Sequence, residues 1–155
     1  MRESISYTVT LNFVITFIII FFFFLSGTII YFKTNKAGKI ITDSIERYEG
    51  YNELSETAIY QKLNDIGYSM NKTNCGSTIN PAKNSNATCN IVDSSTTSYS
   101  NGDRGYCIYL CTEEDYYYYR VRTIGIMNLP IVNQLLPIPV VYTTNRLYDF
   151  ESNLD

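Results

Sequence analysis

The feature that most constrains this chain is an uncharged run of twenty-nine residues from Ser4 to Phe32. A helix rises about 1.5 Å per residue, so roughly 20 apolar residues cross the hydrocarbon core of a bilayer. The stretch 9–32 provides twenty-four residues. Because unpaired backbone groups are costly in lipid, a helix is strongly favoured there. The sequence therefore predicts an N-terminal tail over 1–8 and one transmembrane helix over 9–32.

Two other interpretations of the run are less favoured. A cleaved secretory signal has a shorter apolar region, and here apolar residues continue through 29–32, beyond the small residues Ser26, Gly27 and Thr28. A buried helix of a soluble protein would need another long apolar segment to pack against, and the remaining chain offers none. We therefore expect a single-pass protein anchored at its N-terminus.

The amino-acid composition argues against most catalytic chemistry. The chain has no histidine, which removes the commonest general base and the usual zinc ligand. The best acidic cluster is Glu113, Glu114 and Asp115 with Asp103, but successive acids at a turn are most often solvated charges. No calcium-loop motif is present. We expect no enzyme, no metal and no cofactor.

The charge balance bears on the possible partners. Lys and Arg number 12 against 15 for Asp and Glu, and no basic stripe with interleaved aromatic residues is present. Nucleic acid is therefore not an expected partner, whereas the lipid bilayer is.

The cysteines Cys75, Cys89, Cys107 and Cys111 all lie after the apolar run. If Cys107 and Cys111 share one strand, they lie about 13 Å apart, too far to bond to each other. Each is then expected to bond outward, to Cys75 or Cys89, and the sequence does not choose which. A four-cysteine zinc site and free thiols are the alternatives, although the close C-x2-C pairs typical of zinc sites are missing. Disulfides would indicate an extracytoplasmic compartment.

Two signals disagree about the orientation in the cell membrane. Lys33, Lys36 and Lys39 come directly after the predicted span, and the positive-inside rule would place the C-terminal domain in the cytoplasm. Disulfides would require the opposite, and lysines outside a span can also extend towards lipid headgroups. We favour a cytoplasmic N-terminus and an extracytoplasmic C-terminal domain.

Residues 33–68 are predicted to form an amphipathic helical stalk. Ile41, Ile45 and Tyr48 recur at helical spacing until Gly50 interrupts the pattern. A second helix is expected to begin after Asn52 as N-cap, with acidic residues in its first turn. Its apolar stripe and its glycine stop are Ile59, Leu63, Ile66 and Gly67.

Residues 69–104 are dominated by Asn, Ser and Thr, which predicts a long polar loop containing two cysteines and one short strand near 89–92. The region 105–155 is predicted as antiparallel β structure, beginning with β-favouring runs at 106–111 and 116–126. Three prolines in 128–141 are expected to exclude a regular strand there.

The last strand is accordingly expected over 140–148. With the stalk helix laid on one face of this small antiparallel sheet, the predicted fold class is α+β.

Four of these features together resemble the TadE-like minor pseudopilins of the tight-adherence (Flp-type) pilus system, above all its small Gram-positive members. They are an acidic residue, Glu3, before the uncharged span, the break at 47–52, a Tyr-Tyr-Arg-Val strand at 118–121 and the Leu-Pro to Pro-x-Pro segment at 129–139. The resemblance implies a non-catalytic subunit whose partners are other pilin-like or pilus-assembly subunits. It also implies that Glu3 matches the N-terminal amine of a neighbouring subunit. No leader ending in glycine precedes Glu3, so cleavage by a prepilin peptidase is not expected.

A second hypothesis comes from the tyrosines. Tyr106, Tyr109 and residues 116–119 could form a surface of apolar rings with polar tips. Such a surface would suit a membrane-anchored extracellular binding module for cell-wall glycan or a protein partner. Because alternate residues of a strand point inward, half of these tyrosines are expected in the core.

Overall fold

The computed structural model describes residues 2–68, 75, 77–82, 86–94, 104–113, 116–129 and 134–148. Within them lie α1 (Arg2–Arg47), α2 (Glu53–Asp65), β1 (Thr88–Ser94), β2 (Arg104–Thr112), β3 (Tyr117–Leu129) and β4 (Gln134–Thr143). The four strands pair antiparallel in the order β1-β2-β3-β4. The predicted α+β fold class is confirmed.

Helix α1 is continuous over 46 residues and begins at Arg2, so most of the predicted tail 1–8 is helical. It ends at Arg47, and the chain then turns with positive φ angles of 55° at Glu49 and 146° at Gly50. Glycine adopts positive φ without steric penalty, whereas a residue with a Cβ atom is strained there. The interruption predicted at Gly50 is confirmed.

Helix α2 begins after Asn52, as predicted. The Ser55 N–H donates to the Asn52 side chain at 2.9 Å, and the Asn52 N–H donates to the Ser55 hydroxyl at 2.8 Å. This reciprocal capping satisfies two backbone donors at the helix start. Ile59 and Leu63 are buried, and Gly67, with φ of 62°, lies just after the helix end.

Strand β4 differs from the prediction. It begins at Gln134 and includes Pro137 and Pro139, so the expectation that prolines exclude a regular strand is wrong. The reason is that β4 lies at the edge of the sheet formed by the described strands. The Thr144 N–H donates to the Tyr119 carbonyl of β3, so even-numbered residues of β4 face β3 with their N–H groups. The two prolines occupy odd positions, where an edge strand needs no donor.

The sheet has two covered faces. One face packs on the helices in a cluster that contains Ala37, Ile41, Ile45, Ile59, Leu63, Tyr68, Tyr106, Ile108, Tyr119 and Val121. The opposite face packs on the segment before β1, in a cluster that contains Ile79, Ala82, Ala87, Cys89, Cys111, Tyr116 and Tyr118. The alternation of side chains along β2 and β3 therefore produces three layers, which are helices, sheet and loop.

Candidate functional site: an exposed apolar helix joined to a disulfide-bonded head

The first part of α1, Tyr7–Phe32, is exposed, and we call it the apolar half. Of its residues, Gly27 and Ile30 alone are partly covered, while Phe13 and Phe24 expose 79% and 71% of their surface. Within the described part of the chain, α1 alone is long and apolar enough to cross a membrane, with a mean hydropathy of 2.7 over its most apolar window. Soluble monomers rarely expose an apolar surface of this extent, and surfaces of this kind are typical of contacts with a membrane or with another protein.

Threonine hydroxyls in this half form hydrogen bonds inside the helix. Thr16 Oγ1 donates to the Asn12 carbonyl and Thr28 Oγ1 donates to the Phe24 carbonyl, both at 2.8 Å. Each bond reaches the carbonyl four residues earlier, so the hydroxyl proton is satisfied without water. A helix surface built in this way is compatible with an apolar solvent.

From Lys33 onward the chain forms a second unit, which we call the head. Helix α1 meets β3 and β4 closely at two glycines, and we call this contact the seam. A Cβ atom at Gly125 would lie 2.1 Å from Thr34 Oγ1, and one at Gly38 would lie 2.5 Å from a Tyr142 ring carbon. Distances below 3.0 Å are essentially never seen for a real Cβ. The seam therefore depends on residues that lack a side chain.

Hydrogen bonds join the two sides of the seam. Thr123 Oγ1 of β3 donates to the Thr34 carbonyl at 3.2 Å, and the Tyr142 hydroxyl of β4 donates to Asn35 Oδ1. Because Thr34 lies within two residues of the end of the apolar half, these bonds hold the sheet at the point where the exposed part of the helix ends.

Two disulfides fasten the opposite face of the sheet. Cys75 bonds to Cys107, and Cys89 of β1 bonds to Cys111, its direct partner across β1 and β2, with Cα atoms 4.0 Å apart. Cys107 and Cys111 thus each bond outward, as predicted, and the cysteines are not available as zinc ligands. The bonds span separations of 32 and 22 residues, for which loop-closure entropy gives a stabilisation of about 3.5 kcal/mol each.

Comparisons with protein-family models, with curated proteins and with solved structures found no match for this chain.

The tyrosines considered as a binding surface are mostly internal. Those at 106, 109, 118 and 119 are buried, whereas Tyr116 and Tyr117 are half-exposed. The Arg146 guanidinium lies 4.3 Å from the centre of the Tyr116 ring, a cation–π contact. The remaining aromatic surface of these six residues is therefore small.

An open groove of about 440 Å³ lies where α1 turns into α2. Tyr117 and Tyr119 line it, and the Tyr51 N–H donates to the Tyr119 hydroxyl at 3.2 Å. Glu49 is the acidic residue among the described residues that line the groove.

Three tyrosines of the head have raised pKa values. Burial raises the pKa of Tyr109, and the Arg122 guanidinium partly offsets this effect. Burial likewise raises the pKa of Tyr142, and a hydrogen bond with Glu113 is the main cause that raises the pKa of Tyr116. A raised pKa makes each of these phenols a weaker acid, so the phenol stays protonated to higher pH than an ordinary tyrosine. Among the described residues, no group of three or more Cys, Asp or Glu side chains could hold a metal ion.

The remaining candidate residues from the sequence, Glu3 and three acidic residues, lie partly or wholly outside the described part of the structure. Glu3 belongs to the first turn of α1, but its side chain lies outside the described part of the structure. Asp103, Glu114 and Asp115 lie outside the described residues altogether. Sequence reasoning missed the two seam glycines, although a lone glycine inside a helical or strand pattern is a known signal of close approach.

Proposed function

We propose that this chain is a non-catalytic, membrane-anchored subunit of a surface assembly of the pilin type. The apolar half of α1 crosses the membrane once, and the head lies outside the cytoplasm. One observation carries the proposal: a single uninterrupted helix is exposed and apolar over Tyr7–Phe32 and is packed on the sheet beyond Lys33.

The aromatic residues at the two ends of the apolar half support a membrane-spanning role. Tyr7 and Tyr31 are both exposed and lie 24 residues apart, which is about 36 Å along a helix. Tyrosine is enriched at both surfaces of a membrane whose hydrocarbon core is roughly 30 Å thick. The distance therefore matches two interfacial positions.

The disulfides support an extracytoplasmic head, because such bonds persist in oxidising compartments. Lys36 and Lys39 are exposed and Lys33 is half-buried, immediately beyond the apolar half. In this orientation their ammonium groups reach the outer headgroups.

The rigid junction between anchor and head supports an assembly role over a tethered binding role. Helix α1 enters the head without a break, and the seam fixes the sheet against it. A fixed geometry suits a subunit that packs in an ordered assembly, whereas a tethered binding module can work on a flexible linker. The resemblance to TadE-like pseudopilins agrees, and it implies that Glu3 pairs with a neighbouring subunit.

Orientation is tested by labelling intact cells with a membrane-impermeant thiol reagent, with and without external reduction. We expect labelling of the four cysteines only after external reduction. Free thiols that react only in opened cells would contradict an extracytoplasmic head.

Assembly is tested with a photo-crosslinking residue placed at Phe22 in the apolar half or at Tyr60 on α2, which expose 65% and 60% of their surface. We expect Phe22 to capture other membrane subunits several-fold more efficiently than Tyr60, and we expect Glu3→Gln to reduce that capture. Capture of glycan or protein by a probe at Tyr117 in the groove, with none at Phe22, would favour the binding module instead.

A further inference from the structure

Within the described residues, strands β3 and β4 continue beyond the rest of the sheet. The pairing of β2 with β3 ends at Arg104 and Gly125, whereas β3 and β4 stay paired as far as Leu129 and Gln134. We call this extension, residues 126–129 and 134–137, the ribbon. No third strand accompanies the ribbon among the described residues, and two strands alone are marginal in water unless one face is packed against something else.

The ribbon points towards the N-terminus of α1. Tyr119, near the start of β3, accepts a hydrogen bond from the Tyr51 N–H, beyond the C-terminal end of α1. Gly125, six residues later, lies against Ile30. Strand β3 thus runs antiparallel to α1, and at ~3.3 Å per residue the next four residues extend about 13 Å past Ile30. These four residues therefore lie alongside the apolar half.

The exposure of α1 agrees with this direction. Gly27 and Ile30 are the partly covered residues of the apolar half, and Phe23, exposed by 37%, is the least exposed of its phenylalanines. These residues recur at helical spacing on the face that carries Thr34, the residue that contacts β3. The ribbon therefore runs along this face of the helix.

The charged residues of α1 and of β3 that lie nearest to the apolar half are at the same level along the helix axis. On α1, Lys33 is the first charged residue after the apolar half. On β3, Arg122 precedes Thr123, whose hydroxyl bonds to the carbonyl of Thr34, next to Lys33. From Thr123 the chain then continues for 23 residues, to Asn145, without a charge. Two separate elements thus become uncharged at one level.

An apolar surface accompanies this change on the sheet face opposite α1. Its members are half-exposed Ile124 and Ile126 and exposed Pro137, Pro139 and Val141. Ile126 pairs with Pro137 and Ile124 with Pro139 across the two strands, so the side chains form one patch. The prolines also remove two outward N–H groups from the edge of β4, which lowers the penalty of placing that edge near lipid.

We propose that the ribbon lies in the interfacial layer of the outer leaflet beside α1, so that the chain contacts lipid through two elements. The proposal depends on the membrane anchoring proposed above. An apolar edge held at the level where the helix enters the bilayer would begin at the boundary of headgroups and acyl chains, and its ~13 Å past Ile30 would extend from there into the outer leaflet. The ribbon would thereby fix the tilt and rotation of the head on the membrane surface.

The absence of tryptophan allows a direct test of depth. Single variants Ile126→Trp, Val141→Trp, Tyr60→Trp and Phe22→Trp of the full chain would be reconstituted into phospholipid vesicles with acyl chains brominated near the headgroup. Val141 shares the patch with Ile126 but pairs with Arg122, above the proposed lipid level. We expect roughly twofold quenching for Ile126→Trp, less for Val141→Trp and none for Tyr60→Trp.

The Phe22→Trp variant separates the two proposals. Quenching at Phe22 with none at Ile126 would overturn the ribbon contact and leave the anchor intact. Phe22 lies nine residues deeper than Tyr31, so its variant is also measured in vesicles whose acyl chains are brominated near their methyl ends. No quenching at Phe22 in either kind of vesicle would overturn the anchor and the ribbon contact with it. If Ile126→Trp were protected from aqueous iodide only at high protein-to-lipid ratio, without quenching by bromine, the ribbon would contact a second copy of the chain and not lipid.

Discussion

The two halves of α1 carry similar apolar side chains but meet different surroundings. Phe13 and Phe24 expose most of their surface, whereas Ile41 and Ile45 are fully buried against α2 and the sheet. The halves differ in charge: none occurs from Ser4 to Phe32, while the packed half interleaves its apolar stripe with lysines and acids. Charge pattern, more than hydrophobicity, therefore separates a helix that packs on its own chain from one that needs another environment.

The largest expected effect comes from truncating one side chain in each half. Ile45→Ala should lower the free energy of unfolding of the head by about 4 kcal/mol, because it leaves a cavity in the core. Phe22→Ala should change that free energy by less than about 0.5 kcal/mol, since Phe22 is exposed and lies outside the head. Denaturant titration of the full chain in detergent micelles, monitored by near-UV circular dichroism, measures both. Equal losses would show that the halves are not independent.

The seam between the halves should be the next most sensitive place. Gly125→Ala should destabilise the head by about 2 kcal/mol, because the new Cβ would overlap Thr34 Oγ1 and crowd Ile30. Adding Thr34→Ala removes the closest atom, so the double variant should recover part of the loss. A neutral Gly125→Ala variant, measured by the same titration, would mean that α1 and the sheet are not held closely at this point.

The comparison of the halves also shows what the sequence could predict. The long apolar helix, the interruption at Gly50, the cap at Asn52 and the outward bonding of the cysteines result from local rules about hydrophobic length, backbone conformation and strand geometry. The path of β4 does not, because a proline is tolerated or not according to whether its strand lies at an edge.

The seam could not be predicted from the sequence either. It is a tertiary contact between residues 34 and 125, and the length of chain between them leaves no periodic pattern that would indicate it. The isolated glycines Gly38 and Gly125 are the sequence signal of this contact, and sequence reasoning did not use it.

A smaller effect is expected from one hydroxyl that joins α1 to β4. Tyr142→Phe removes the hydrogen bond to Asn35 Oδ1 and should lower the unfolding free energy by about 1 kcal/mol. Tyr60→Phe is the matched control, because Tyr60 is 60% exposed on α2 and its change should be near zero. If both variants unfold at the same denaturant concentration as the parent chain, the bond to Asn35 does not contribute to the seam.

The smallest effect should appear only in alkaline solution. Burial raises the pKa of Tyr109 and of Tyr142 in the folded chain above the usual value near 10. Below pH 10 both phenols are protonated in the folded and unfolded chain, so they add no pH dependence. As the pH rises through their folded pKa values, the unfolded chain has already released these protons, and stability should fall. Tyr109→Phe should flatten that fall in a pH series of unfolding titrations, and an unchanged fall would contradict the role of Tyr109. Tyr109 lies on the sheet face that carries the disulfides, and Tyr142 lies at the seam. Comparing Tyr109→Phe with Tyr142→Phe therefore shows which of these two parts of the head loses stability first as the pH rises.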